Sequence, residues 1–308
     1  MRAVFLALAI ALLPFCAWAD DPVAWAYPVA PPPQISKDPT LLHVPGSTLA
    51  FTKGQVGNLF GPADWFPDEH PPMPKPVAHG TPPHIWACSL CHLPNGNGHP
   101  ESANLAGLTE PYIEEQIAAF KGGRRVRTVI MTQIVNTMSP QDIAEASAYF
   151  AALAPNPWEH VVEAETVPKS FVGDGAMRFA VPNGGTEPLG DRIIALPKDA
   201  TLAEDRDGHS GFIDYVPRGS TKAGEALVND GGGKTIACAL CHGPGLKGLG
   251  ELPRLAGRSP LYLFRQLHDI QDGDRIGGNN ELMKQVVAKL DIKDMIAIAA
   301  YLGTLPPQ

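Results

Sequence analysis

Two short sequences constrain this chain more than anything else in it. Cys88-Ser89-Leu90-Cys91-His92 and Cys238-Ala239-Leu240-Cys241-His242 share the spacing Cys-x-x-Cys-His, each follows an alanine, and they stand 238 − 88 = 150 residues apart. At the same offset Leu105-Ala106-Gly107 matches Leu255-Ala256-Gly257, Tyr112 matches Tyr262, Gln116 matches Gln266 and Arg125 matches Arg275. The offset then becomes 283 − 131 = 152, where Met131 matches Met283, Asp142 matches Asp294, Ala148-Tyr149 matches Ala300-Tyr301 and Leu153 matches Leu305. One duplication with a two-residue gap accounts for all of these, so the chain must build one structural unit twice.

Each copy reads as mainly helical. Thr109 is placed to cap a helix to about Phe120, and Ser259-Pro260 starts its counterpart with a capping hydroxyl and a proline at the first helical position. Ser139-Pro140 starts the last helix of copy one and Asp291 that of copy two; Ile143, Ala146, Phe150 and Leu153 give an inward stripe. Ser220 to Asp230 reads as a further helix ahead of the second motif. Copy one has no equivalent, because Pro71, Pro72, Pro74, Pro76, Pro82 and Pro83 forbid a long helix there. The 31 glycines and 32 prolines make up about a fifth of the chain, so long stretches must be loop or extended. The expected division is a signal peptide at 1–19, a Pro-rich extension at 20–80, copy one at 81–154, a connector at 155–218 and copy two at 219–308. The extension carries aromatic and acidic islands such as Asp64-Trp65-Phe66-Pro67. The connector, which includes Arg192-Ile193-Ile194-Ala195-Leu196, reads as extended or weakly β and too apolar for a free linker.

The amino terminus predicts export. Arg2 is followed by an apolar run from Ala3 to Phe15, and Ala17-Trp18-Ala19 fits a cleavage site that would leave Asp20 first. The run is short for a membrane span, and Phe15 is too bulky for a lipoprotein signal ending at Cys16. The mature chain is therefore expected in the periplasm and not membrane-spanning. Setting Cys16 aside, all the remaining cysteines lie in the two motifs, so none is left for a structural disulfide. The net charge of −8 argues against nucleic acid, whose phosphates call for a basic face; an acidic carrier suits a protein partner with a basic patch.

The motif spacing has a chemical reading. On a helical turn residues i and i+3 share a face, with i+4 beside them. Cys88 and Cys91 can then form thioethers to the two vinyl groups of one haem while His92 sits beneath the iron; Cys238, Cys241 and His242 repeat the arrangement. A thiol redox pair would not need the histidine, and a zinc site would need further ligands near each pair. Two covalently attached haem c groups, with iron bound by His92 and His242, are the expected cofactors.

Methionine opposite histidine raises the potential and closes the iron to substrates. Met131 and Met283 occupy equivalent places and are the axial candidates. Met138 and Met295 fall at N′ and N4 of the last helices, where a hydrophobic staple explains them, with Met73 and Met177 outlying. His43, His70, His79, His84, His99, His160, His209 and His268 have no partner in the other copy and are expected on the surface or in loops.

With these residues placed, the chain resembles class I cytochromes c, specifically the two-domain dihaem carriers of bacterial periplasms, over about residues 81–154 and 219–308. The resemblance implies a mainly α fold of two class I cytochrome c domains, with Pro/Gly-rich extended N-terminal and connecting segments. It places Tyr112 and Tyr262 near the haem groups, and it assigns a proline carbonyl to orienting each proximal histidine, a role Pro253 fits and Ala103 replaces in copy one. The function expected is single-electron transfer between a redox protein donor and acceptor, with no catalytic residue. The alternatives are a dihaem enzyme of the peroxidase or thiosulfate-oxidising type, which needs an open iron, and a cytochrome subunit of a dehydrogenase or oxidase. Arg124, Arg125 and Arg127 are open to three readings: partners for haem propionates, a docking patch, or a solvated cluster.

Overall fold

A computed structural model of the chain describes residues 21–31, 36–278 and 280–307. The expected signal peptide, with Cys16 and Ala17-Trp18-Ala19, lies outside the described residues. Copy one consists of a motif turn, α1 (Ser89–His92), followed by α2 (Glu110–Lys121), α3 (Val129–Asn136) and α4 (Pro140–Ala152). The start of α4 is fixed reciprocally: the Asp142 amide donates to Ser139 Oγ at 3.1 Å, and the Ser139 amide donates to the Asp142 carboxylate at 3.1 Å. Thr109 precedes α2 in extended conformation but makes no side-chain cap bond. The helices α2 and α4 pack together and bury Ile117, Phe120, Ala146 and Phe150 between them and their neighbours. A single turn, Lys75–Ala78, is all the helix the proline-rich approach to the first motif allows; it packs on α4 with Val77 fully buried.

Between the copies the chain forms a three-stranded sheet from β1 (Glu159–Ala164), β2 (Ile194–Pro197) and β3 (Phe212–Pro217), in the order β1-β3-β2. β1 runs parallel to β3, pairing Glu159 with Phe212, and β2 runs antiparallel to it, pairing Ile194 with Tyr215. Two short antiparallel pairs, Thr166–Pro168 with Thr186–Pro188 and Ser170–Val172 with Arg178–Ala180, complete the region. This is more order than an extended or weakly β segment. Its strands are three to six residues long, too short and too often broken by turns to display a clear period of two. Residues of the extension pack on it: Trp65 Nε1 donates to the Asp205 carbonyl at 2.7 Å, and the Phe66 ring stacks on His209 with centroids 3.9 Å apart.

Copy two follows as α5 (Ser220–Asp230), the motif turn α6 (Ala239–His242), α7 (Pro260–Asp272), α8 (Asn280–Val287) and α9 (Ile292–Thr304). Ser259 caps α7 by accepting from the Tyr262 amide, and Asp291 with Asp294 repeats the reciprocal cap on α9. At Gly224 a Cβ would fall 1.9 Å from the Ala297 carbonyl oxygen, so only glycine lets α5 lie this close to α9. The first described residues, including Trp25, join the core of copy two, where the Trp25 and Phe264 rings are 4.7 Å apart.

The copies meet through matching positions. Arg125 pairs with Arg275 in an antiparallel bridge, the Val126 amide donates to the Asp274 carbonyl at 3.0 Å, and the Ile276 amide donates to the Arg124 carbonyl at 2.8 Å. Each residue contacts the equivalent of its own partner, as at an interface between identical subunits.

Candidate functional site

Both motif turns hold their histidines identically. The His92 amide donates to the Cys88 carbonyl at 3.0 Å and the His242 amide to the Cys238 carbonyl at 2.9 Å, which sets each histidine one turn beyond its first cysteine. His92 Nδ1 lies 2.8 Å from the Ala103 carbonyl and His242 Nδ1 lies 2.9 Å from the Pro253 carbonyl. A carbonyl only accepts, so Nδ1 carries the proton and Nε2 keeps its lone pair for a metal. Burial pushes both imidazoles below the ordinary histidine range, so they are neutral near pH 7. The Ala103 carbonyl does what the Pro253 carbonyl does, because the bond needs a backbone oxygen and no particular side chain. Burial pushes the Cys88 thiol up to about 12 and the Cys238 thiol up to about 11, and these two, Cys91 and Cys241 form no disulfide.

In copy two the motif opens on a large cleft. Cys238, Cys241 and His242 line it at one side and Met283 also borders it; the space between the atoms is about 1,420 Å³, part of it open to solvent. That is ample for a large planar cofactor. Its walls are mostly aliphatic, among them Leu255, Leu263, Ile270 and Ile298. Copy one contributes Tyr112 and Gln116 to the same cleft. In copy one itself, Cys88 and Met131 both border the core built by α2 and α4, and the His92 ring meets Phe150 edge-on at 6.0 Å.

One edge of the cleft is cationic. Arg275 donates to Gln266 at 2.9 Å, to Gln116 at 2.9 Å and to the Tyr112 hydroxyl at 3.1 Å, while Arg125 donates to Gln116 at 3.1 Å and Gln266 at 2.8 Å. Arg258 Nη2 donates to the Asn104 carbonyl at 3.0 Å and Arg254 Nη2 to Asn104 Oδ1 at 3.2 Å. The Nε atoms of Arg254, Arg258 and Arg275 are buried without an acceptor. Burial alone would raise the Tyr262 phenol, yet Arg258, Arg125 and Arg275 outweigh it and bring it down to about 8. Burial, reinforced by Arg258, lowers Arg254 to about 9. Buried cations with orphaned donors mark a place where anionic groups are wanted. Together with the free Nε2 atoms, the paired thiols and the apolar walls, the site fits a haem whose acid substituents face these arginines.

Several expectations change at this level. Of Arg124, Arg125 and Arg127 only Arg125 leaves solvent, lying over the Phe120 ring, whereas Arg124 and Arg127 keep solvent-facing ion pairs, Arg124 with Glu115 at 2.7 Å and Arg127 with Asp272 at 3.1 Å and also Asp274. Among the histidines, His99 and His268 are buried where segments outside the repeat meet them, and His70, itself in the extension, is tucked against the Tyr149 hydroxyl of copy one. Met138 and Met295 are buried in the cores, as packing residues should be. The arginines at 254, 258 and 275 were passed over. The match of Arg125 with Arg275 was the one available signal, since a buried arginine leaves no mark on periodicity. Among the described residues no three His, Cys, Asp or Glu side chains gather into a metal cluster, and no helix is long and apolar enough to cross a membrane.

The comparisons with known proteins agree with this geometry. Cytochrome c4 of Pseudomonas aeruginosa is 30% identical over 227 residues, covering 71% of this chain and 83% of the relative. The thiosulfate dehydrogenase electron acceptor of Thiomonas intermedia is 26% identical over 229 residues, covering 73% of this chain and 82% of the relative. Among solved structures, the thiosulfate dehydrogenase TsdBA of Marichromatium purpuratum superposes with a TM-score of 0.50 at 30% identity, over 72% of this chain but only 37% of that one. No family model matches the chain.

Proposed function

The chain belongs to the cytochrome c4 family of dihaem c-type electron carriers, and from that premise we propose which of its residues hold and insulate the two haem c groups. Cys88 and Cys91 tether the first and His92 binds its iron; Cys238, Cys241 and His242 do so for the second. Met131 and Met283 would be further iron ligands, a reading supported by their equivalence in the repeat and by the place of Met283 on the cleft lining. Arg258 and Arg275 face the acid substituents at the cleft's cationic edge, with Tyr112 and Gln116 closing it from the other copy. The haem supplies the one-electron couple of its iron. The protein supplies orientation through the Nδ1 bonds of His92 and His242, sulfur ligation, and aliphatic walls that exclude water.

The observation that carries the reading is the pair of motif turns with each histidine's Nδ1 spent on a carbonyl. The resemblance to cytochrome c4 favours electron transfer over dihaem enzyme chemistry. Export to the periplasm, through cleavage after Ala19, belongs to the same proposal. So does a protein donor and acceptor; a relative named for accepting electrons from thiosulfate dehydrogenase makes such an enzyme a donor worth assaying. The decisive test is haem quantification per chain with reduced-state spectra before and after carbon monoxide. Two haem groups and an unchanged spectrum are expected. Carbon monoxide binding at either haem would overturn firm methionine ligation and move the reading to an enzyme.

A further inference from the structure

The duplication lets one copy report on the other. In copy two Leu240 and Leu249 are 73% and 58% exposed, and neither lines the cleft where the haem would sit. Their equivalents in copy one, Leu90 and His99, are 4% and 6% exposed. The connector makes the difference. Arg206 Nη1 donates to the Leu90 carbonyl, and a Cβ at Gly175 would fall 3.6 Å from the His99 ring. Leu93, the residue after His92, packs into an apolar cluster with Trp158, Met177 and Phe212, beside Arg206.

The backbone shows that copy one is built to be covered there. Leu93 holds a φ of 61°, in the left-handed region that favours glycine, and copy two has Gly243 at that place with a φ of 76°. Copy one bears this strain and puts a side chain into the connector; copy two puts none there. What the two turns share is an acceptor. Pro94 and Pro244 each stand four residues beyond a motif leucine, where a continuing helix would supply an N–H, and proline has none. In copy one Arg206 meets the Leu90 carbonyl. In copy two Ala239, Leu240 and Cys241 are all exposed, so the Leu240 carbonyl has the same need at the surface. Lys247 and Glu251 flank Leu249 and offset each other, while the whole chain carries −8, so the field favours a cationic partner.

We propose that Leu240 and Leu249, around the Leu240 carbonyl, form the face on which a redox protein docks. That partner presents a cationic side chain among aromatic or aliphatic ones, as the connector presents Arg206 among Trp158 and Phe212. The connector closes the matching face of copy one to it. In each encounter one electron leaves the partner's reduced centre and makes the ferric copy-two iron ferrous. The inference deepens the electron-transfer reading above and rests on it.

The probe for the test is zinc-substituted mitochondrial cytochrome c, a basic protein whose photoexcited porphyrin gives up one electron and becomes a cation radical. Its second-order quenching by the ferric two-haem protein is expected to fall about tenfold when Leu240→Ser and Leu249→Ser are combined, because the apolar contact is lost. Quenching of photoexcited tris(bipyridine)ruthenium, which is too small to need a docking face, is expected to stay unchanged in the same variant. A fall of twofold or less with the protein probe, the most that remains if copy one exchanges directly, overturns the inference, and so does an equal fall with the ruthenium complex. Adding the same probe to the reduced, nitrogen-15-labelled native protein should shift the amides of Leu240, Gly243 and Leu249 and leave those of Leu90, Leu93 and His99 in place. Shifts centred on copy one overturn the inference. So do shifts of the copy-two face on concentrating the protein alone, which would assign that face to a second copy of this chain. A native protein without two haem groups would sink the haem assignment itself, whereas two haem groups with unmoved rates would sink only the docking face.

Discussion

Replacing Asp214 with asparagine should stabilise the connector sheet at alkaline pH and not at acidic pH. Asp214 lies on the central strand β3 with none of its surface exposed, and its register partners are Val161 and Ala195. Its carboxyl lies beside that of Glu159, with which it shares a proton, and neither of its oxygens has any other hydrogen-bond partner. Burial raises Asp214 from 3.8 to about 7; burial and then the charge of Asp214 hold Glu159 well above the usual carboxylate range. The sign follows from proton counting. Between about pH 4 and pH 7 the folded state binds the proton that the unfolded state has released, so stability falls as pH rises through this window. At about 1.4 kcal/mol per unit the fall is roughly 4 kcal/mol over the whole window, of which roughly 3 kcal/mol lies between pH 5 and pH 8. The chain has several cooperative units, so a single unfolding free energy is the wrong observable. Hydrogen exchange of the strand amides Ile213, Tyr215 and Val216 reads local opening directly. The native protein should open more readily at pH 8 than at pH 5 by at least about that amount, and Asp214→Asn should remove the part due to Asp214 while the part due to Glu159 remains. A native opening free energy that is flat between pH 5 and pH 8, or a variant destabilised equally at both, would refute the reasoning.

Other outcomes follow from the same geometry. Met283→Ala and Met131→Ala should each admit carbon monoxide at one reduced haem, whereas Met138→Ala and Met295→Ala should leave the spectrum unchanged and cost about 2–5 kcal/mol of stability from buried cavities. Arg275→Met removes three donated bonds, two of which tie the copies together, and should cost about 3 kcal/mol or more, read as faster exchange of the Val126 and Ile276 amides. Leu90→Asp should destabilise copy one by about 3 kcal/mol or more through a buried charge, while Leu240→Asp should change thermal stability by less than about 0.5 kcal/mol and slow electron exchange with a protein partner.

The parts of this molecule legible in the sequence were those with local rules. The motif turns, the Ser139 and Asp291 helix starts, the stripe on α4 and the packing roles of Met138 and Met295 depend on spacings of three or four residues, and the structure has them where those spacings put them. What escaped was long-range. The bridge between Arg125 and Arg275 joins residues whose equivalence was visible but whose contact was not. Arg258 sits in a run that reads as an ordinary loop, and only the folded chain brings it beside Tyr262, with 4.7 Å from guanidinium carbon to ring centre. The sheet was seen only as apolar punctuation, because β1 and β3 pair across about fifty residues of intervening chain.

The unrepeated segments give the duplication its functional meaning. Two equal units meeting through equivalent residues would leave two equivalent sites, and electrons shared between them would have no preferred direction. The chain breaks that equality in both copies, through Trp25 in the core of copy two and through the connector at copy one. The connector lays Leu93 into its own apolar cluster and sets Arg206 on the Leu90 carbonyl, while the extension braces the connector from behind through Trp65 on Asp205. Copy two keeps Leu240 and Cys241 open to solvent, as a surface for fast exchange with another protein must be.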